Sequence, residues 1–213
     1  MTFLPDSSTM LAYSLACLVL FITPGPDMSL FLAKTVQGGR KAGLAAMAGA
    51  LTGCLVHTLA AAFGLSALIA ASTTAFTAVK IVGALYLLWL AVDAIRNGSA
   101  LTIKEGAGEP FSFRKVFLLG IGINLTNPKV VLFFLTFLPQ FIVAGDPHAA
   151  EKLFFLGIYF VAFSTPLAIL LILAAERVID TLKRNPKVMR GIDYAFAGIF
   201  GFFALQVFRT QAK

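Results

Sequence analysis

"FITPGPDMSLF" (residues 21–31) decides how the chain is read. It lies inside the first apolar run, yet it carries two prolines, a glycine and an aspartate. Proline lacks an N–H and clashes with the preceding turn, so a helix stops or kinks there. In hydrocarbon the released backbone groups must find other partners, so a break persists where protein or a polar cavity surrounds it. A helix restarting at Pro26 presents its first N–H groups and the positive end of its dipole. The stretch predicts an interrupted membrane helix with a polar site at Pro24, Gly25, Pro26 and Asp27.

A second break matches the first. Shifted by 102 residues, "PGPDMSLF" (24–31) overlies "TNPKVVLF" (126–133). Pro26 meets Pro128, Leu30 meets Leu132 and Phe31 meets Phe133, while Gly25 falls on Asn127 and Asp27 on Lys129. Asn127 is a good N-cap and Pro128 a good first helical residue. Two such restarts brought together near mid-membrane predict an anion site that fits an amino-acid carboxylate. Each charge inside a span costs at least ~2.5–3.5 kcal/mol on insertion scales, so Asp27 and Lys129 are expected to approach each other or share the cavity. Two roles are open to Asp27, holding a substrate ammonium or carrying a proton. Lys129 is open to neutralising Asp27 or contacting a carboxylate. The bland alternatives are simple kinks repaired by neighbouring helices and a purely structural charge pair.

The rest of the chain fits a membrane setting. It has 213 residues, 59% hydrophobic and only 13% charged, with a mean hydropathy of +0.89. A soluble domain is nearer half apolar and a quarter charged. Six apolar segments are long enough to span: Ser7–Pro26, 42–71, 74–93, 116–143, 153–175 and 191–208. "ASTT" (71–74) reads as the turn between the second and third. The fold class is all-α, six transmembrane helices in an inverted 3+3 repeat, with helices 1 and 4 interrupted. One transporter domain covers 1–213, with halves at about 1–95 and 114–213 joined by a loop at 96–113. No Lys or Arg precedes the first apolar run, so that run reads as a retained span and not a cleaved signal.

Charge sets the expected orientation. The loops at 34–41, 96–115 and 177–190 hold twelve Lys and Arg; the opposite side holds Lys152, Arg209 and Lys213. Basic loops stay cytoplasmic, so both termini are expected outside. The net charge of +7 concerns orientation and anionic lipid. No clustered basic face suggests nucleic acid.

Softer features complete the reading. Gly49 and Gly53 form a GxxxG suited to close helix packing. Such faces also leave room for a homodimer. His57, one turn further, is open to proton relay or to a structural hydrogen bond. Asn124, Thr126 and Gln140 add polar groups to the fourth span, and Lys80 is expected to snorkel. Cys17 and Cys54 lie in separate apolar runs with no CxxC, so neither a metal site nor a disulfide framework is expected, and no cofactor is expected.

The long stretch "TPGPDMSLFLAKTVQGGRKAGLAAMAGALTGCLVHTLAAAFGLSALI", together with "GIGINLTNPKVVLFFLTFLPQFI", closely resembles the lysine-exporter and homoserine–threonine-exporter family of bacterial amino-acid exporters. The family's first-span PGP followed by Asp or Asn corresponds to Pro24, Gly25, Pro26 and Asp27. Its fourth-span N-P-K corresponds to Asn127, Pro128 and Lys129. The resemblance implies export of amino acids or close derivatives across the bacterial inner membrane by proton antiport, with an amino acid and protons as partners and no enzymatic activity. Two other classes stay in view. A thiol–disulfide shuttle needs a cysteine from each half, and both cysteines lie in the first. A passive channel, or a carrier of another small solute, is separated by its indifference to a proton gradient.

Overall fold

The computed structural model describes residues 5–98, 111–143 and 146–211, and among these the chain is all-helical. The first helix, α1 (Ser7–Ile22), is capped by Asp6. The Asp6 carboxylate accepts from the Thr9 N–H at 2.8 Å and from the Ser8 and Thr9 hydroxyls at 2.5 and 3.0 Å. These hydrogen bonds, the Ser8 hydroxyl's first, hold its pKa down at about 2. α1 ends where Pro24 dictates. A residue preceding proline is driven out of the helical region, and Thr23 is extended (φ −69°, ψ 119°). Gly25 precedes Pro26 and is extended as well (φ −173°, ψ −175°).

α2 (Pro26–Ala60) restarts with proline in its first turn. Its 35 residues would make a straight rod of about 50 Å, well beyond a hydrocarbon core of ~30 Å. The rod is bent at Gly39, whose φ of 74° and ψ of −180° belong to a region open essentially to glycine alone. The bend is sharp. A Cβ at Gly43 would overlap the Thr35 hydroxyl, although these positions lie about 12 Å apart along a straight helix. Gly39→Ala is therefore expected to cost roughly 1–3 kcal/mol, read as a lowered unfolding temperature in detergent.

α2 runs on through a π-helical turn (Ala61–Leu65) into α3 (Ser66–Ala71). Ser72 is the one extended residue of the expected 71–74 turn, and its hydroxyl caps α4 (Thr73–Asn97) by accepting from the Ala75 N–H at 3.1 Å. α5 (Phe113–Thr126) stops at Asn127, again the residue before a proline (φ −70°, ψ 109°). α6 (Pro128–Leu132) restarts there. It continues through a π-helical turn (Phe133–Phe137) and a 3-10 turn (Leu138–Phe141). The axis bends by 54° at the break. α7 (Ala149–Leu173), α8 (Ala175–Arg184) and α9 (Pro186–Gln211) complete the chain's helices among the described residues.

Among the described residues four helices are long and apolar enough to cross a bilayer, or five when 113–126 and 128–141 count as one bent span. α1, with 16 residues, falls short of the roughly 20 a crossing needs. Six crossings require α1 and 26–38 to act together as one interrupted span. Two expected loops are corrected. Residues 34–41 are helical on both sides of Gly39, and 177–190 lie in α8 and the start of α9. Lys, Arg and Gln are good helix formers, so a basic surface segment need not leave the helix. Most of the expected loop at 96–113 lies outside the described residues.

The core is double. One cluster joins Tyr13 of α1 to Phe133, Phe134 and Phe137, Phe160 of α7 and Phe200 of α9. The other joins Met28 and Leu32 to Ala46, Val116, Ile172 and Ile179. The two helix breaks fall between them. Lipid supplies no hydrophobic drive for helix association, so close backbone contact carries much of the packing. A Cβ at Gly49 would overlap the Phe117 carbonyl, and one at Gly53 would lie 2.5 Å from Asn124 Oδ1. A Cβ at Gly120 would overlap the Ala46 carbonyl. The GxxxG face is thus spent against α5 inside the chain, and a second copy would have to use another surface. Gly49→Val is expected to lose about 3 kcal/mol or more through overpacking, seen as aggregation or lowered thermal stability of purified protein.

Candidate functional site

The two breaks meet. Lys129 reaches from the start of α6 to the end of α1, where its Nζ donates to the carbonyls of Leu20 at 3.0 Å and Thr23 at 2.6 Å. Those carbonyls lie where helix α1 stops, the end of a helix that lacks its own N–H partners. Gly25 makes the passage possible: a Cβ there would stand 3.2 Å from Nζ and 3.4 Å from Cε. From the other side, Asn124 near the end of α5 donates its Nδ2 to Asp27 Oδ2 at 2.8 Å.

Asp27 and Lys129 therefore share the site without a hydrogen bond between them. Helix ends explain the arrangement. Asp27 sits in the first turn of α2, where the dipole favours an anion, and the Lys129 ammonium sits at the end of α1, where it favours a cation. The expectation of two free helix starts open to an outside anion needs correcting accordingly. The α2 start has its own anion in Asp27. At α6, Asn127 Oδ1 accepts from the Lys129 N–H at 3.1 Å.

Among the described residues three polar atoms at this site are buried outside hydrogen-bond distance of a partner: Asp27 Oδ1 and Asn127 Nδ2, whose side chains interact at longer range, and Ser164 Oγ. Asp27, Asn124, Lys129 and Ser164 line one cavity of about 50 Å³, walled by apolar residues such as Phe31 and Phe160. That holds one or two waters at roughly 30 Å³ each and is smaller than an amino acid.

Asn124 is the node of the surroundings. It is 1% exposed, contacts Cys54 Sγ at 3.5 Å through Nδ2, and receives the Cys54 thiol through Oδ1 at 3.7 Å. His57 Nε2 lies 3.5 Å from the Asn124 carbonyl, and its ring stacks on Phe134 at 5.5 Å. No hydrogen bond joins His57 to Asp27, although the two are close enough to interact electrostatically. Pro24, Pro26 and Pro128 act only through the backbone. Cys17 and Cys54 are buried and unbridged.

Sequence reasoning misses Ser164. Its neighbour Thr165 makes the usual helix-internal bond to the Val161 carbonyl at 2.7 Å, while Ser164 makes none and is 2% exposed. The signal was "STP" (164–166), a polar pair before a proline in an otherwise apolar helix. The role of the α1 carbonyls carries no sequence signal, because every residue has one.

The family description "LysE type translocator" matches residues 18–211, nearly the whole chain. This chain belongs to that family. A homoserine/homoserine lactone efflux protein of Salmonella typhimurium is 30% identical over 189 residues, covering 89% of this chain and 90% of that protein. A leucine efflux protein of Klebsiella pneumoniae is 28% identical, with 95% of each chain covered. An uncharacterized membrane protein of Vibrio cholerae is 31% identical over 92% of this chain and 94% of its own length. No solved structure matches the chain. Both signature segments, 24–27 and 127–129, fall inside the family match, and both are the helix breaks that meet at the cavity. As a LysE-type translocator with several membrane-length apolar helices, the chain is a multi-pass membrane protein.

Proposed function

We propose that the protein exports amino acids or close derivatives across the bacterial inner membrane in exchange for protons, and that the cavity at the two breaks is the binding site. The observation that carries the reading is the set of three unpartnered buried atoms, an acceptor, a donor and a hydroxyl, where two interrupted helices meet. Unpaired buried polar groups are costly, and a zwitterion supplies what they lack. The substrate ammonium binds Asp27 Oδ1. Its carboxylate takes Asn127 Nδ2, Ser164 Oγ and the Lys129 ammonium. The efflux relatives support an amino acid as solute.

Exchange arises from single occupancy of Asp27. Its carboxylate holds either a substrate ammonium or a proton. A proton taken from the outer side displaces the substrate there; its loss to the cytoplasm frees the site for the next substrate. The small cavity has to open for each loading, and the non-helical residues 23–25 and 127 are the hinges. α1 with 26–38 forms the first interrupted span and 113–141 the fourth, in a six-span 3+3 layout with basic segments 34–41, 96–115 and 177–190 cytoplasmic.

The test is counterflow of a labelled amino-acid panel in proteoliposomes, with and without an imposed pH gradient. Movement of one or a few amino acids, accelerated by the gradient, is expected. Movement that ignores the gradient would mean a passive pathway, and no movement by folded, inserted protein would refute the reading.

A further inference from the structure

A second and much larger cavity, about 660 Å³, opens among the ends of α1, α4 and α9 and the 138–143 segment. It shares no lining residue with the cavity at the breaks. Gln140, on its wall, lies twelve residues past Pro128, roughly 18 Å along a helix. Its size falls within the range of small-molecule sites, about 300–1,000 Å³.

Among the described residues its wall carries one full charge. Lys80 lies two turns inside α4 and donates its Nζ to the Ile142 carbonyl at 3.1 Å, with Phe76 beneath it at 5.6 Å. No Asp or Glu lines the cavity among the described residues. The nearby Asp6 is occupied in capping α1 through Ser8 and Thr9. Gln140 gives its Nε2 to the Thr136 carbonyl at 2.7 Å, and its Oε1 has no donor. Ser8, Thr9 and Thr77 add hydroxyls. An ammonium within a membrane helix is costly; the Lys80 stem snorkels as expected, and its head ends on the cavity wall at the Ile142 carbonyl.

We propose that this cavity is a second station for the exported solute, where Lys80 holds the carboxylate and Gln140 Oε1 accepts from the ammonium before release. The inference rests on the exporter reading above and assigns the outward vestibule to the same carboxylate chemistry.

The experiment uses Thr77→Cys in full-length protein in proteoliposomes. Wild type, whose Cys17 and Cys54 are buried, is the background. Labelling by impermeant methanethiosulfonates with a sulfonate or a trimethylammonium head reads the charge of the cavity. Adding Lys80→Gln is expected to slow the sulfonate and speed the trimethylammonium about fivefold each, the effect of one charge at close range in water, so their rate ratio falls about 25-fold. Lys80→Arg restores it. The amino acid selected by counterflow slows labelling, and its amide does not. Lys80→Gln alone raises KM for that amino acid with little change in kcat. An unchanged ratio, or labelling indifferent to the amino acid, overturns the inference while leaving the exporter reading intact. Protection that depends on phosphatidylglycerol in the liposomes and not on the amino acid assigns the cavity to lipid and also overturns it. If wild type moves no amino acid, the counterflow shows this first and both readings fall together.

Discussion

Asp27→Asn abolishes amino-acid movement, both gradient-driven export and counterflow, while the protein stays about as stable as wild type. Asparagine keeps the shape of the side chain and an oxygen for the Asn124 amide. With that oxygen taken, the other position carries an uncharged NH2 donor, which offers an ammonium nothing and cannot exchange a proton. Stability moves little because two effects oppose. The charge's attraction to the Lys129 ammonium and to the α2 dipole, the latter about 0.3–1 kcal/mol, is lost, and the cost of keeping a carboxylate away from water is relieved. Proteoliposome transport beside a thermal melt of the same preparation separates function from folding. Wild-type transport by Asp27→Asn at normal abundance would remove Asp27 from the mechanism.

Lys129→Met, by contrast, loses transport and stability together. The methionine fills much of the same volume but donates nothing, so the Leu20 and Thr23 carbonyls lose their donor. Each carbonyl left buried without a partner costs about 1–3 kcal/mol. The melt should fall clearly below that of Asp27→Asn, and transport should vanish with the carboxylate's cation. A Lys129→Met protein as stable as wild type would contradict the capping of α1 by Lys129. That is a sharper test than activity alone, since either a structural or a substrate role predicts loss of transport.

Both breaks were legible because the physics is local. A residue before proline is pushed out of the helix, and Thr23, Gly25 and Asn127 all show it. The Ser72 turn was legible for a similar reason, as a serine that caps the helix after it. The groups facing each other across the breaks were not legible. That Lys129 serves the carbonyls of α1, and that Asn124 is the group on Asp27, depends on contacts about a hundred residues apart. Aligning the two breaks suggested that Asp27 and Lys129 approach each other or share a cavity, and both line the same one; which helix end each charge serves was the part that could not be read. Basic segments were read as loops because charge and loop usually coincide at a membrane surface. Here a single glycine, Gly39, makes the turn and leaves helix on both sides. Ser164 was hidden because one serine in an apolar helix normally bonds its own backbone.

The most direct test of the central claim is a structure of the protein in lipid nanodiscs with the amino acid that counterflow selects. The ligand is expected between the breaks, its ammonium at Asp27 Oδ1 and its carboxylate within reach of Asn127 Nδ2, Ser164 Oγ and Lys129, in a cavity enlarged by movement at residues 23–25 and 127. A ligand bound elsewhere, with Lys129 still on the Leu20 and Thr23 carbonyls and the cavity still too small, would show that the breaks are structural and the solute takes another path.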